Sequence, residues 1–532
     1  MQGQERENTV SEASAKPTKP STQIGLGIVA VGLVGCDIVR THVEQVTGNT
    51  RATYAPLPRT PETEKARFVL NRVAFGAKPG EVAKVTKMGV QAYLEEQLAD
   101  TLTEDPLVNW RVNTLDLQEE VRSAPENTAD LSNEQLLQET AQASLLRAVY
   151  SRHQLRETMA DFWTNHFNIF ALKNNERELI PVDTETVIRP HILSSFRDLL
   201  LASAHSPAML SYLDNQENKR GVANENYARE LLELHTLGVH SGYTQKDIQE
   251  VARCFTGWRL RTSGDFQMNF IEGVKTPYKA FLFDANLHDE GAKFIPFLNL
   301  SLSPKGGEKD ADAVLERLAT HEATARFLAQ KLCRRYLGYV PNEIVERATK
   351  AYLKNDTSIR ALLRPILLDG LKLEATKRPL FKRPLDFVVS ALRTLGADTD
   401  GGVEIQHALQ DMGQPLYQWP MPDGFPEKGA AWTGSLLARW NFALSLLSQR
   451  GGGTHVTLTP LFEGFGAKSE TEKIDALLEG ILNQAHDSPT LQPLRKGILA
   501  HIQKAKSAGV SEAQSLAEGA ALVLASPPFQ WK

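Results

Sequence analysis

Apolar residues recur at helical spacing along most of the chain after residue 61. The clearest stripe runs through Leu155, Met159, Phe162, Trp163, His166 and Phe170. Side chains three and four residues apart share one face of an α-helix, so this spacing predicts a helix with one buried face. Gly and Pro separate many such segments, and alternating β-branched runs are scarce. The pattern therefore predicts a mainly α-helical fold, with 281–283 and 293–295 as a minor β-hairpin.

A helix with clear boundaries is predicted over residues 224–238. At about 100° per residue, its polar arc holds Glu225, Asn226, Arg229, Glu230, Glu233 and Thr236. His235 falls in the apolar arc, and Gly238 is a typical helix stop. Thr244 and Asp247 have the spacing of a capping box, which predicts that the next helix begins there.

The domain organisation follows from length and composition. The chain has 532 residues, of which 42% are hydrophobic and 23% charged, as in ordinary globular proteins. No internal repeat is visible. Residues 62–532 are therefore predicted to form one large multi-helix domain, in one or two lobes.

The N-terminal segment is predicted to direct export. Residues 24–36 are apolar, too few to span a membrane but suited to a signal-peptide core. The run ends Leu33-Val-Gly-Cys36, which resembles the lipobox of bacterial lipoproteins. We therefore expect a signal peptide over 1–36, lipidation of Cys36 and a flexible tether over 37–61. The alternative is a buried N-terminal element with an ordinary cysteine.

The net charge and the cysteine content argue against nucleic-acid binding, a disulfide framework and a CxxC metal site. The net charge is −5, whereas nucleic-acid-binding surfaces carry a basic excess, so no nucleic-acid partner is expected. The three cysteines are Cys36, Cys254 and Cys333, which form neither a disulfide framework nor a CxxC site. Cys254 and Cys333 can pair in an oxidising compartment or remain two buried free thiols.

Candidate chemistry concentrates in a set of His, carboxylate and Lys side chains. The predicted catalytic residues are His166, Glu225, Glu230, His288, Asp289 and Lys293. Imidazole and carboxylate groups together bind divalent metals or act as acid and base. His166, Glu230 and His288 are the predicted metal ligands.

Each of these groups also has a structural interpretation. Glu225, Arg229 and Glu233 lie four residues apart, which is typical of an ion-pair ladder on a helix face. His166 can be a core histidine, and Asp289 can cap a turn with Lys293 as its ion-pair partner. The segment Trp419–Pro426, with Trp432, is either an exposed stacking platform for a sugar or peptide or a packed, stiff loop.

Several segments resemble the DUF1800 family of bacterial proteins. The resemblance rests on Asn224–Val239, Ala252–Trp258, Phe162–Asn168, His288–Lys293, Lys382–Phe387 and Trp419–Trp432, in a region spanning about residues 66–532. Thr164 departs from the family pattern, in which many members have a histidine. The resemblance implies an exported protein with a role in the cell envelope and an exported protein partner, but no settled activity.

Two functions therefore stay open at the level of sequence. One is an envelope enzyme, metal-dependent or acid/base, that uses the His/carboxylate set. The other is a non-catalytic, lipid-anchored scaffold or binding protein for an exported partner or a glycan.

Overall fold

The computed structural model describes one unit of the chain. The described residues are 53–99, 106–115, 132–174, 176–261, 281–448 and 452–532. They belong to a single compact unit, Ala52–Lys532. Cys36, the predicted signal peptide and most of the predicted tether lie outside the described residues. Of the helices that are described, none is both long and apolar enough to cross a membrane.

Helices with short connections make up the first half of the unit. Helices α1–α12 are Pro61–Val73, Glu81–Met88, Val90–Leu98, Pro106–Asn113, Asn133–Tyr150, Gln154–His166, Glu176–Asp183, Arg189–His191, Phe196–Ala204, Pro207–Tyr212, Asn226–Glu230 and Gln245–Cys254. Short polar side chains accept hydrogen bonds from the first-turn N–H groups, as Ser132 does at α5 and Thr244 at α12. Two segments widen into π-helix, Thr184–Ile188 after α7 and Leu231–Thr236 after α11.

The second half of the unit is also helical. Helices α13–α24 are Lys309–Ala319, Glu322–Leu337, Asn342–Lys354, Ile359–Leu368, Pro384–Thr394, Val403–Asp411, Leu436–Leu447, Thr459–Phe465, Glu470–Leu482, Gln492–Ser507, Glu512–Ala525 and Pro527–Gln530. The 3₁₀ turns are Asn215–Glu217, Ala285–Leu287, Pro296–Leu298, Gly370–Lys372, Glu374–Lys377 and Gly429–Ser435. The prediction of a mainly α-helical fold is confirmed.

Within the described ranges, six short strands form three antiparallel pairs. Strands β1–β6 are Trp258–Leu260, Phe281–Phe283, Lys293–Ile295, Leu300–Leu302, Asp398–Thr399 and Thr454–His455. The pairs are β1 with β2, β3 with β4 and β5 with β6. The predicted hairpin was wrong in its pairing, because β2 and β3 are each strands but have different partners. The segment between them contains a 3₁₀ turn and the buried side chain of His288.

Two main hydrophobic clusters fill the unit. The first surrounds Trp163 and Phe196 and is built mostly by residues 66–371. The second surrounds Phe387 and Leu477 and is built mostly by residues 385–529. Tyr54 joins the second cluster and donates a hydrogen bond to Thr394 O at 2.9 Å. The packed region therefore begins within the segment that the sequence predicts as tether.

Candidate functional site

Helix α6 positions most of the polar groups of the site. Gln154 fixes its start, because the side-chain amide donates to Ala148 O and Ser151 O and accepts from Phe75 N at 2.9–3.1 Å. Trp163 fixes the buried face by donating from Nε1 to Ile192 O at 2.9 Å. The apolar stripe predicted from the sequence packs into the first cluster, so the polar side of α6 is directed elsewhere.

That polar side borders a cleft of about 740 Å³, part of it open to solvent. The polar residues that line it are Ser144, Glu157, Asp161, Thr164, Asn165, Asn168, Thr184, Arg189, Gln414 and Tyr417. Apolar side chains of both clusters, such as Ile188 and Leu385, complete the wall. The cleft therefore lies where the two clusters meet. Thr164, at the position where many relatives were expected to carry histidine, contributes to the lining.

The two carboxylates of the cleft are held by arginines. Glu157 accepts from both terminal nitrogens of Arg189 at 3.1 and 3.3 Å, and both residues are buried. Asp161 Oδ2 accepts from Arg335 at 2.7 Å and from Arg383 at 2.5 Å. Buried charges require such partners, because an unpaired charge in the interior is strongly destabilising. The cleft thus presents carboxylates whose charge is already compensated.

Two asparagines of α6 and its C-terminal end clamp the Trp419–Pro426 loop. Asn165 exchanges two hydrogen bonds with the Phe425 backbone, and Asn168 Nδ2 donates to Trp419 O and Met421 O at 3.0 and 2.8 Å. At Gly424, with φ +75°, a Cβ atom would lie 2.3 Å from Asn165 O, so only glycine permits this approach.

The same loop is packed rather than displayed as an open platform. Trp419 donates from Nε1 to Asp423 Oδ1, and Trp432, which is buried, donates from Nε1 to Pro426 O, both at 3.0 Å. These bonds support the interpretation of a stiff, packed loop. Cys254 and Cys333 are both buried free thiols, so the alternative of a disulfide between them was wrong.

His166, a predicted ligand and catalytic residue, is buried with both ring nitrogens occupied. Nε2 lies 3.0 Å from His235 O and Nδ1 lies 3.0 Å from Lys331 Nζ. A carbonyl only accepts, so Nε2 carries the hydrogen and Nδ1 accepts from the ammonium. Burial, and next the Lys331 cation, lower the pKa of His166 well below its ordinary value. The ring is therefore a neutral core histidine, as the structural interpretation predicts.

His288 and Lys293 form a buried cluster with Asp310, a residue that the sequence did not single out. Asp310 Oδ2 lies 3.2 Å from His288 Nε2 and accepts from Lys293 Nζ at 2.6 Å. His288 Nδ1 lies 2.7 Å from Thr256 O. All three residues are at most 2% exposed. The cluster ties the loop of residues 288–293 to the start of α13.

Asp289 has a separate role from its neighbour. Its carboxylate accepts from Arg253 at 2.9 and 3.0 Å and from Gly291 N at 2.9 Å. The turn cap predicted for Asp289 is thus present. Its predicted ion pair with Lys293 was wrong, because Lys293 contacts Asp289 through the backbone carbonyl and pairs with the Asp310 carboxylate.

Glu225 and Glu230 lie on the polar arc predicted for their helix. Arg229 pairs with Glu225 at 3.1 Å and with Glu233 at 3.7 Å, which is the predicted ion-pair ladder. Glu230 is half-buried, and burial, reinforced by Glu233, raises its pKa.

The predicted site residues are therefore divided among separate clusters. Throughout the described ranges, no group of three or more His, Cys, Asp or Glu side chains is arranged to hold a metal ion. His166, Glu230 and His288 are not brought together as a ligand set, because distant segments satisfy each histidine separately. The sequence analysis missed Glu157 and Asp161, whose i, i+4 spacing on the helix of His166 was the available signal.

The comparison with known families agrees with the motifs placed above. The profile described as "Protein of unknown function (DUF1800)" matches residues 68–531. The chain belongs to the DUF1800 family. In this DUF1800 protein, the matched region contains the cleft, the clamped loop and the His288 cluster. No curated protein and no solved structure matches the chain.

Proposed function

We propose that this DUF1800 protein is a lipid-anchored binding protein of the bacterial envelope, and that its cleft takes a sugar unit of a glycan. The observation that carries the proposal is the composition of the cleft lining. Residues with hydroxyl and amide groups line the cleft together with aromatic residues, while both carboxylates are already paired with arginines. An uncharged ligand rich in hydroxyl groups fits this combination.

Hydrogen-bonding capacity supports a sugar over a charged ligand. Thr164, Thr184 and Tyr417 bring hydroxyls that both donate and accept, and Gln414 brings an amide. Sugar hydroxyls have the same dual character. An anionic or cationic ligand would have to displace one partner of the Glu157–Arg189 pair, at the cost of leaving the other charge unpaired.

The arrangement of the predicted catalytic set favours binding over acid/base chemistry. A general base must reach a substrate proton with a free nitrogen or oxygen. His166 has both ring nitrogens engaged by protein groups, and His288 is almost fully buried. Of the two functions left open by the sequence, glycan binding therefore has better physical support than catalysis by the His/carboxylate set.

Calorimetric titration with defined sugars tests the cleft. The probes are glucose, galactose, N-acetylglucosamine and its β-1,4-linked dimer and trimer. We expect one of them to bind, and Thr164→Trp, which fills the cleft, to abolish that binding. Thr86→Trp is the matched control, because Thr86 is also a half-buried helical threonine but does not line the cleft. Unchanged affinity in Thr164→Trp, or binding by none of the probes, would contradict the proposal.

Membrane attachment is tested separately. The proposal places an acyl chain on Cys36, since lipidation needs a thiol at the mature N-terminus. Cys36→Ser should abolish both incorporation of an alkyne-labelled fatty acid and sedimentation with membranes. Labelling that persists in Cys36→Ser would refute the anchor but not the cleft.

A further inference from the structure

A second cavity contains a lysine and a serine in direct contact. It measures about 390 Å³, part of it open to solvent, and is lined in part by α17. Its polar and aromatic lining includes Asn71, Lys382, Ser390, Asn483, Gln484 and Trp531. Lys382 Nζ lies 3.0 Å from Ser390 Oγ. No residue of this cavity belongs to the set predicted from the sequence.

Lys382 is held rigidly by its backbone. Its N–H donates to Gln530 O at 2.9 Å, and its carbonyl accepts from Arg439 Nη2 at 2.8 Å. The Nζ atom lies 3.7 Å from the centre of the Phe529 ring. The side chain is 6% exposed, so its amine is directed at Ser390 from a largely dry environment.

Ser390 is placed by helix α17 and by a glycine opposite it. Ser390 Oγ also donates to Phe387 O, one turn earlier in the helix, at 3.0 Å. A Cβ atom at Gly76, with φ +99°, would lie 3.0 Å from Ser390 Cβ, so glycine allows the end of α1 to approach. The hydroxyl has two competing partners, and rotation about its C–O bond turns its hydrogen from the Phe387 carbonyl towards Lys382.

Burial favours a neutral amine at Lys382 near physiological pH, against the effect of the nearby Asp386 carboxylate. Burial lowers the pKa of Lys382 to about 7, Lys532 and Arg439 act in the same direction, and Asp386 opposes them. An ammonium only donates hydrogen bonds, whereas a neutral amine accepts a proton. A lysine with this pKa has the property required of a general base.

We propose that Lys382 and Ser390 form a nucleophilic pair that hydrolyses small acyl esters. Ser390 Oγ attacks the ester carbonyl as its proton passes to the neutral Lys382 amine. The C–O bond to the leaving group then breaks, and Lys382 returns that proton to the departing alcohol. Water next attacks the acyl-serine, giving one proton through Lys382 to Ser390 Oγ and releasing the carboxylic acid.

In this proposal, side-chain amides that line the cavity stabilise the negative charge that develops on the substrate. Negative charge develops on the carbonyl oxygen during each attack, and preorganised N–H donors stabilise it. Asn71, Asn483 and Gln484 bring side-chain amides to the same cavity. The modest size of the cavity favours a short acyl group.

The test uses the full chain with p-nitrophenyl acetate and a fluorophosphonate probe. We expect ester hydrolysis whose rate rises with pH with a midpoint near 7, and probe attachment to Ser390 by peptide mass spectrometry. Ser390→Ala and Lys382→Arg should each lower the rate at least ~100-fold, the range attributed to a positioned general base. Arginine keeps the positive charge but cannot accept a proton.

Ser515→Ala is the matched control. Ser515 is buried in α23 and donates to the carbonyl three residues earlier at 3.0 Å, as Ser390 does, but no lysine of the described part of the chain is hydrogen-bonded to its hydroxyl. This variant should retain the wild-type rate. Thermal unfolding of each variant is compared with that of the wild type. This comparison identifies a variant that is inactive because it does not fold. Labelling at another residue, a rate that Ser390→Ala leaves unchanged, or no hydrolysis by folded wild-type protein would overturn the proposal. None of these results depends on sugar binding in the cleft.

Discussion

Asn165 and Phe425 are joined by a reciprocal pair of hydrogen bonds. Asn165 Nδ2 donates to Phe425 O at 3.0 Å, and Phe425 N donates to Asn165 Oδ1 at 2.7 Å. The side-chain amide of Asn165 thus forms one donated and one accepted hydrogen bond with the Phe425 backbone, as the backbone of a neighbouring β-strand would. The bonds connect the helix that lines the cleft with a loop 260 residues later in the chain.

Asn165→Ala should destabilise the protein by roughly 2 kcal/mol, because the Phe425 N–H and C=O both lose their partner. Asn165→Asp keeps the acceptor for the Phe425 N–H but places a carboxylate oxygen against the Phe425 carbonyl oxygen, so a loss at least as large is expected. Urea unfolding measures the change in the free energy of unfolding for both variants. Asn355→Ala, which removes an exposed amide bonded within its own helix end, should change the free energy of unfolding by less than about 0.5 kcal/mol. Equal effects at residues 165 and 355 would contradict the clamp.

Asp161→Asn should cost roughly 3–5 kcal/mol of stability. Asp161 compensates two buried guanidinium groups, those of Arg335 and Arg383. Arg383 keeps a second carboxylate partner in Asp386, but Arg335 loses the carboxylate that it donates to, and an uncompensated buried charge is strongly destabilising. Glu346→Gln breaks the more exposed pair with Arg326, where solvent screens the charges, and should have a much smaller effect on stability. Chemical denaturation of the two variants checks the difference, and similar losses would argue against the bridging role of Asp161.

Asp183→Asn should stabilise the protein at neutral pH but not in acid. Burial raises the pKa of Asp183 from 3.8 to about 6, although Ser206 Oγ donates to its carboxylate at 2.5 Å. The folded state therefore holds this proton more tightly than the unfolded state, and stability is lost as pH rises from 3.8 through 6. The expected gain is roughly 2–3 kcal/mol at pH 8 and near zero at pH 3.5. Thermal unfolding across this range tests it; a gain that is constant with pH would refute the assignment.

His235→Leu should reduce the sensitivity of the fold to acid. Burial, and next the Lys331 cation, lower the pKa of His235 from 6.5 to about 3, and its Nε2 has no hydrogen-bond partner in the described part of the chain. The unfolded state therefore binds the proton first, and stability present above pH 6.5 is lost as pH falls towards 3. Wild type should lose about 1.4 kcal/mol more per pH unit than the variant over this window. If the stability of wild type and variant changed equally with pH, His235 would ionise as freely in the folded state as in the unfolded state, and the prediction would be wrong.

Interactions between close neighbours in sequence were predictable before the structure. The Thr244–Asp247 capping box, the Glu225–Arg229–Glu233 ladder and the turn capped by Asp289 all join residues within four positions. Backbone geometry fixes which side chains meet over such distances, so residue type and spacing suffice. The mainly helical fold follows from the same periodicity.

Only the tertiary structure decided which distant groups meet. His166 has partners 69 and 165 residues away, and Asp161 has partners 174 and 222 residues away. The spacing of polar residues within a helix indicates which face they occupy, but not which other segment packs on that face. For this reason the sequence determined the helices, caps and ladders of this protein. Long-range packing alone separated His166 from His288, brought Asp161 to Arg335 and Arg383, and placed the cleft between the two hydrophobic clusters.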